Sequence, residues 1–139
     1  MKIHLKRNEK LFINGAVIRL DRRGSIELMN DAQFLMENHI LQQEDAKSPL
    51  QQIYFIVQTM LMDPPNAHLT KYLFDAYADV LTRFNFSPQY KELMDKVREM
   101  VAEANYYGAL KILRLSFHLD QLASDQLQKN SPDKHDEAA

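Results

Sequence analysis

Cysteine is absent from these 139 residues, glycine occurs three times, and no apolar run approaches the ~20 residues of a membrane span. Each absence closes off a class of protein. Without cysteine there is no disulfide framework and no thiolate chemistry. The glycines (Gly15, Gly24 and Gly108) fall in no phosphate-cradling pattern, which excludes the usual nucleotide loops. The opening MKIHLKRNEK lacks the apolar centre of a signal peptide, so the chain is expected to stay in the cytoplasm with no membrane attachment. His4, His39, His68, His118 and His135 are scattered, with no HExxH or other metal spacing. The carboxylates Glu99 and Glu103 read as a solvated helix face. We therefore expect no enzyme, no cofactor and no metal.

What is present is ordinary for a soluble domain: 45% apolar residues and 26% charged, in a length that suits a single unit with its own core. The formal net charge of −2 conceals an uneven distribution. Residues 1–30 carry seven basic side chains (Lys2, Lys6, Arg7, Lys10, Arg19, Arg22 and Arg23) against three acids. The rest of the chain is acidic, so the N-terminal third is the positive end.

The first 44 residues read as β-rich. KIHLK alternates, with Ile3 and Leu5 on one side. KLFI and AVIRL flank Asn14-Gly15, a strong hairpin signal because a type I′ turn needs positive φ at both central residues. That turn sets Ile13 opposite Ala16, Phe12 opposite Val17, Leu11 opposite Ile18 and Lys10 opposite Arg19. Asp21-Arg22-Arg23-Gly24 suits a type I turn, which would bring SIELM back beside the second hairpin strand, with Glu27 opposite Arg19. One face would then collect Leu11, Ile13, Ala16, Ile18, Leu20, Ile26 and Leu28, and the other Lys10, Phe12, Val17, Arg19, Ser25, Glu27 and Met29. QFLM (33–36) can add a short strand, and QQEDAK (42–47) is a polar connector.

From Ser48 the period becomes helical. Ser48-Pro49 and Ser87-Pro88 each place a capping hydroxyl before a proline at the first helical position. Four helices are expected, over about 48–62, 66–85, 88–104 and 105–127. The first is apolar nearly all round and hence central, and Asp63-Pro64-Pro65 stops it. The second caps on Asn66 and is expected to bury Leu69, Tyr72, Leu73, Ala76, Tyr77, Val80, Leu81 and Phe84. Tyr90, Leu93, Met94, Val97, Met100 and Val101 form the stripe of the third. The fourth carries Tyr106, Leu110, Leu113, Phe117 and Leu122, and residues 128–139 read as a disordered tail. The fold expected is α+β: an antiparallel meander of three to five short strands packed with about four helices in a single domain, residues 1–127.

Turn chemistry explains Asn14, Gly15, Asp21 and Gly24. It does not explain why the neighbouring positions are Lys10, Arg19, Arg22 and Arg23. Basic residues around Phe12 would make a surface for single-stranded RNA, the ring stacking on a base and the charges meeting phosphates. The bland alternative packs Phe12 under the helices and leaves the arginines as solvated turn residues.

Three stretches in order, INGAVIRLDRRG, IYFIVQTMLMDP and YYGALKILR, give the chain a specific likeness: over residues 1–122 it resembles the FlbT family of flagellin regulators. It departs at Asn8-Glu9, where Gly-Glu is expected, at Leu61, where Tyr is expected, and at Gly108, where a longer residue is common. The resemblance implies a non-enzymatic, post-transcriptional repressor of flagellum biogenesis that binds the 5′ untranslated leader of flagellin mRNA and promotes its decay. It carries no residue-level RNA map. Charge and register nominate Lys6, Arg7, Lys10, Phe12, Arg19, Arg22 and Arg23 as the RNA surface. NEKLFING is also similar to the early strands of the carbon-storage regulator CsrA, over eight residues only.

A competing reading makes the helical half a protein-interaction module. Its Met- and Tyr-rich stripe would hold an amphipathic helix of flagellin or of a FlaF-like partner, with indirect effects on the message. Self-association would serve either reading, because a dimer doubles a small basic surface.

Overall fold

The alternation in the first residues is realised as β1 (Lys2–Leu5), with Ile3 and Leu5 both buried, in a computed structural model that describes residues 1–84 and 87–120. β2 (Lys10–Ile13) and β3 (Ala16–Arg19) form the expected hairpin in the expected register, Lys10↔Arg19 through Ile13↔Ala16. Asn14 and Gly15 take φ of 47° and 80°, the left-handed pair that the type I′ turn requires.

The third strand departs from the expected meander. β4 (Gly24–Glu27) does not return beside β3; it pairs antiparallel with β1, setting Lys2↔Glu27 and Ile3↔Ile26. Glu27 therefore faces Lys2 and not Arg19. The reason is that alternation fixes which face a residue occupies and leaves its neighbour open: Ile26 has the same phase beside either strand. The observed pairing gives β1 a partner along one edge, which a meander would not, and leaves β3 as the edge of its own sheet.

β5 (Phe34–Met36) is the short strand expected from QFLM, and it adds to the other edge of β2 with Phe12↔Leu35. The region is thus two small sheets, β1-β4 and β3-β2-β5. Leu11 and Phe34 face a minor core with Ile3 and Leu5, joined by half-buried Ile13, Ile18, Leu20, Ile26 and Leu28. Phe12 and Leu35 point the other way, into the helical core. The face expected to be polar is apolar at its centre, because β5 sets fully buried Leu35 next to Phe12. Ala16, assigned to the apolar face, is exposed.

The helices follow the capping signals. α1 (Pro49–Met62) begins with a complete capping box: Ser48 Oγ accepts from the Gln51 N–H, and the Gln51 side chain accepts from the Ser48 N–H. It lies at the centre of the molecule, packed on α2 (Ala67–Phe84) and α4 (Tyr106–Leu115), with α3 (Pro88–Ala102) against α4. Gln58, buried on α1, donates to the Leu41 carbonyl and accepts from the Leu41 N–H, both at 2.8 Å. Those two bonds dock the polar connector on the core. Gln33 fastens the sheet to the helices in the same manner, donating to the Ala104 carbonyl and accepting from the Tyr107 N–H.

Three expectations for the helices change. Asn66 does not cap α2: its amide donates to Asp63 Oδ2 within the turn Pro64–Asn66 that leads into the helix. The fourth helix is interrupted, since α4 ends at Leu115 with Ser116 Oγ bonded back to the Ile112 carbonyl, and residues 118–120 resume a helical path. Leu122 and the tail 128–139 lie outside the described residues. Most consequentially, α2 buries Ala67, Phe74, Ala78 and Leu81. Leu69, Tyr72, Leu73, Ala76, Val80 and Phe84, expected in the core, are exposed. The helix is apolar on two opposite sides, and the side that carries Ala67, Phe74, Ala78 and Leu81 is the one buried.

Candidate nucleic-acid interface

The basic residues converge at the open end of the β2–β3 hairpin, opposite the Asn14-Gly15 tip. Lys10 and Arg19 stand across from each other on the last ladder rung. One step beyond, the Asn8 N–H donates to the Leu20 carbonyl at 2.9 Å. This bond ties the β1–β2 turn, which carries Lys6 and Arg7, to the segment that carries Arg22 and Arg23. The turn closes by the Glu9 N–H donating to the Lys6 carbonyl, with Asn8 at φ 64°. Positive φ at that position of a β-turn is the type II requirement, which Gly meets best and Asn tolerates. Asn8, where Gly-Glu is expected to begin, thus stands at the turn position that Gly would meet best.

Lys6, Arg7, Lys10, Arg19, Arg22 and Arg23 are all exposed. Three carboxylates lie near them in the chain or the fold. Glu9 accepts from the Lys6 N–H at 2.9 Å, Glu37 accepts from the Lys10 N–H at 3.0 Å, and Asp21 is exposed in the corner. Two of the three are engaged with backbone groups. Among the described residues the ion pairs are Lys71–Asp75, Lys96–Glu92 and Arg98–Asp79, all in the helical half. Among the described residues the six cations of the hairpin end are exposed and take part in no ion pair.

Phe12 stands apart from this group. It shares a face with Lys10 but is half-buried against the helical core, and with Leu61 and Met62 it lines a small cavity. It is not the free stacking ring that the residue pattern suggests. A hollow of about 610 Å³ lies between the hairpin tip and the α1–α2 corner, lined by Asn14, Gly15, Met62, Asp63, Pro64 and Pro65. Its lining carries a carboxylate and no cation, so it does not extend the basic surface. Glu37, which holds the Lys10 backbone from 27 positions away, left no signal in the sequence, because nothing local to ENH marks it as a partner of β2.

Among the described residues no helix is long and apolar enough to cross a membrane, and no group of three or more His, Asp or Glu side chains could hold a metal ion.

Comparison with known proteins gives a consistent result. The family model for the flagellar protein FlbT matches residues 1–122. A probable flagellum biosynthesis repressor protein FlbT of Mesorhizobium japonicum is 43% identical over 123 residues, covering 88% of this chain and 84% of the relative. The protein of the same description from Chelativorans sp. is 42% identical over 86% of this chain and 83% of its own. That from Allorhizobium ampelinum is 36% identical over 91% and 85%. No solved structure matches the chain.

Proposed function

The chain belongs to the FlbT family of flagellar proteins, and from that membership we propose that it represses flagellum biosynthesis after transcription, binding the 5′ untranslated leader of flagellin mRNA in the cytoplasm and promoting its decay. The repressor role is supported by the names its relatives carry. The RNA contact is supported by one observation: six exposed cations at one end of the β region, with no ion-pair partner among the described residues. Arginine meets phosphate through two parallel N–H bonds, and lysine as a point charge. Lys6, Arg7, Lys10, Arg19, Arg22 and Arg23 would track an RNA backbone, while Phe12 supports the hairpin from beneath.

Phosphate contacts position an RNA without reading its bases. Preference for one leader then falls to the phosphate spacing that a folded RNA presents. The test is binding of the purified protein to a flagellin leader and to a scrambled RNA across a salt series. If three or four phosphates are neutralised, log K falls with log salt at a slope of about −2 to −3, at ~0.7 per phosphate for single strands. Failure to bind the leader at low salt would overturn the reading.

A second reading, capture of flagellin or a FlaF-like protein with indirect effects on the message, draws on the exposed apolar side of α2. It predicts association with such a protein in the absence of RNA.

A further inference from the structure

The outer side of α2 has no cover among the described residues. Leu69, Tyr72, Leu73, Val80 and Phe84 are between 45% and 75% exposed, and Ala76 is exposed among them. Successive positions 69, 73, 76 and 80 alternate steps of four and three, the spacing of a helix–helix seam. We propose that this side is a self-association seam, along which two copies of the chain pair α2 against α2 antiparallel about a two-fold axis.

Three observations select a second copy as the occupant. The stripe is symmetric about the point between residues 76 and 77: Leu69 and Phe84 are equally far from it, as are Leu73 and Val80. An isologous interface needs a patch that complements itself, and this one sets Leu69 against Phe84 and Leu73 against Val80, with Tyr72 at its margin. The smallest residue, Ala76, falls at the crossing, where it lets the two backbones approach.

The second observation is area. Five large side chains at that exposure present on the order of 500 Å² of apolar surface, at the upper end of what a monomer's largest patch holds. Doubled by symmetry, about 1,000 Å² leaves water, the lower bound for a specific interface.

The third is charge. One flank of the stripe carries Asp75 and Asp79, which enter with their own counter-ions, Lys71 at 3.9 Å and Arg98 at 2.8 Å. The other flank carries Thr70 and Tyr77, both uncharged. Arg83, near the C-terminal end of the seam, lies level with Thr70 of the second copy, where its head group reaches solvent. The seam thus buries no unpaired charge.

The absence of cysteine makes the register directly measurable on the full chain. Light scattering across a micromolar concentration series is expected to give twice the chain mass, falling to the monomer on dilution. Leu73→Asp and Val80→Asp should each give a monomer at every concentration with an unchanged far-UV spectrum. Under mild oxidation Ala76→Cys should link to itself, whereas Leu69→Cys and Phe84→Cys should link only when mixed. A wild-type monomer throughout the series overturns the proposal. So does a dimer that survives Leu73→Asp and Val80→Asp, or a monomer whose stripe is taken by an amphipathic helix of another protein. Neither RNA affinity nor its salt slope enters these readings, so the seam and the RNA surface can fail separately.

Discussion

The carboxylate of Asp120 accepts a hydrogen bond from the Leu50 backbone N–H at 2.8 Å. Leu50 is the second residue of α1, so its N–H is one of the donors that the start of a helix leaves without a partner. Ser48 and Gln51 satisfy two others through the capping box, and Asp120 completes the cap from seventy positions away. Burial is the larger influence on this carboxyl and pushes its pKa up, while bonds from Ser48 and the Leu50 N–H pull it down.

A carboxyl whose folded pKa is raised gives stability that is fully present below its unfolded value, 3.8, and lost as pH rises through the folded value. Ionised Asp120 therefore weighs against folding near neutral pH, even as it caps the helix. Asp120→Asn keeps a carbonyl acceptor for Leu50 and removes the charge. It is expected to flatten the stability curve above pH 3.8 without a loss at pH 7. Asp120→Ala removes the acceptor and should cost about 1 kcal/mol. Urea melts of both variants from about pH 4 to about pH 7, through and above the carboxylate range, check this. Equal losses in Asn and Ala at pH 7 would contradict it. The same charge helps raise the Tyr77 and Tyr90 hydroxyls, after burial itself, so Asp120→Asn should lower both tyrosine titrations.

Ala104 closes α3 in a conformation that alanine adopts at a cost. Its φ is 57°. The Asn105 N–H donates to the Met100 carbonyl at 2.8 Å and the Ala104 N–H to the Val101 carbonyl at 3.0 Å, the paired bonds of a Schellman motif with Ala where Gly is usual. Ala104→Gly relieves the left-handed strain and keeps the carbonyl that accepts from Gln33. The expected outcome is a gain of about 1 kcal/mol and a Tm higher by about 4 °C. A calorimetric scan showing no gain would mean that the turn relaxes around Ala.

Arg22 and Arg23 are exposed, and neither takes part in the ion pairs of the described residues. Reversing both to Glu should leave the melting temperature unchanged. It should weaken leader binding by about tenfold or more and make the salt slope shallower by about 1.4, two phosphates at ~0.7 each. Unaltered affinity would remove the centre of the proposed RNA surface.

Much of this molecule was legible along the chain, because the signals concerned are local. Asn14-Gly15 specifies its turn and thereby the register of β2 on β3 down to Lys10 opposite Arg19. Ser48-Pro49 starts α1 where expected, and Asp63-Pro64-Pro65 ends it. Period-2 and period-3.6 patterns separate strands from helices by comparing each residue with its near neighbours.

Pairing between distant elements is another matter. Whether β4 joins β3 or β1 is a choice between two distant partners that offer the same alternation. Whether Phe12 faces water depends on Leu35 arriving beside it. The Glu37, Gln33, Gln58 and Asp120 bonds each span 17 or more positions, and no local spacing encodes them. For α2 the sequence by itself determined an amphipathic helix with apolar residues on two sides. Only the tertiary structure decided that Phe74, Ala78 and Leu81 go inward and that Leu69, Leu73, Val80 and Phe84 stay out. A helix has one side to give to α1, and the side left over is a property of the packed whole.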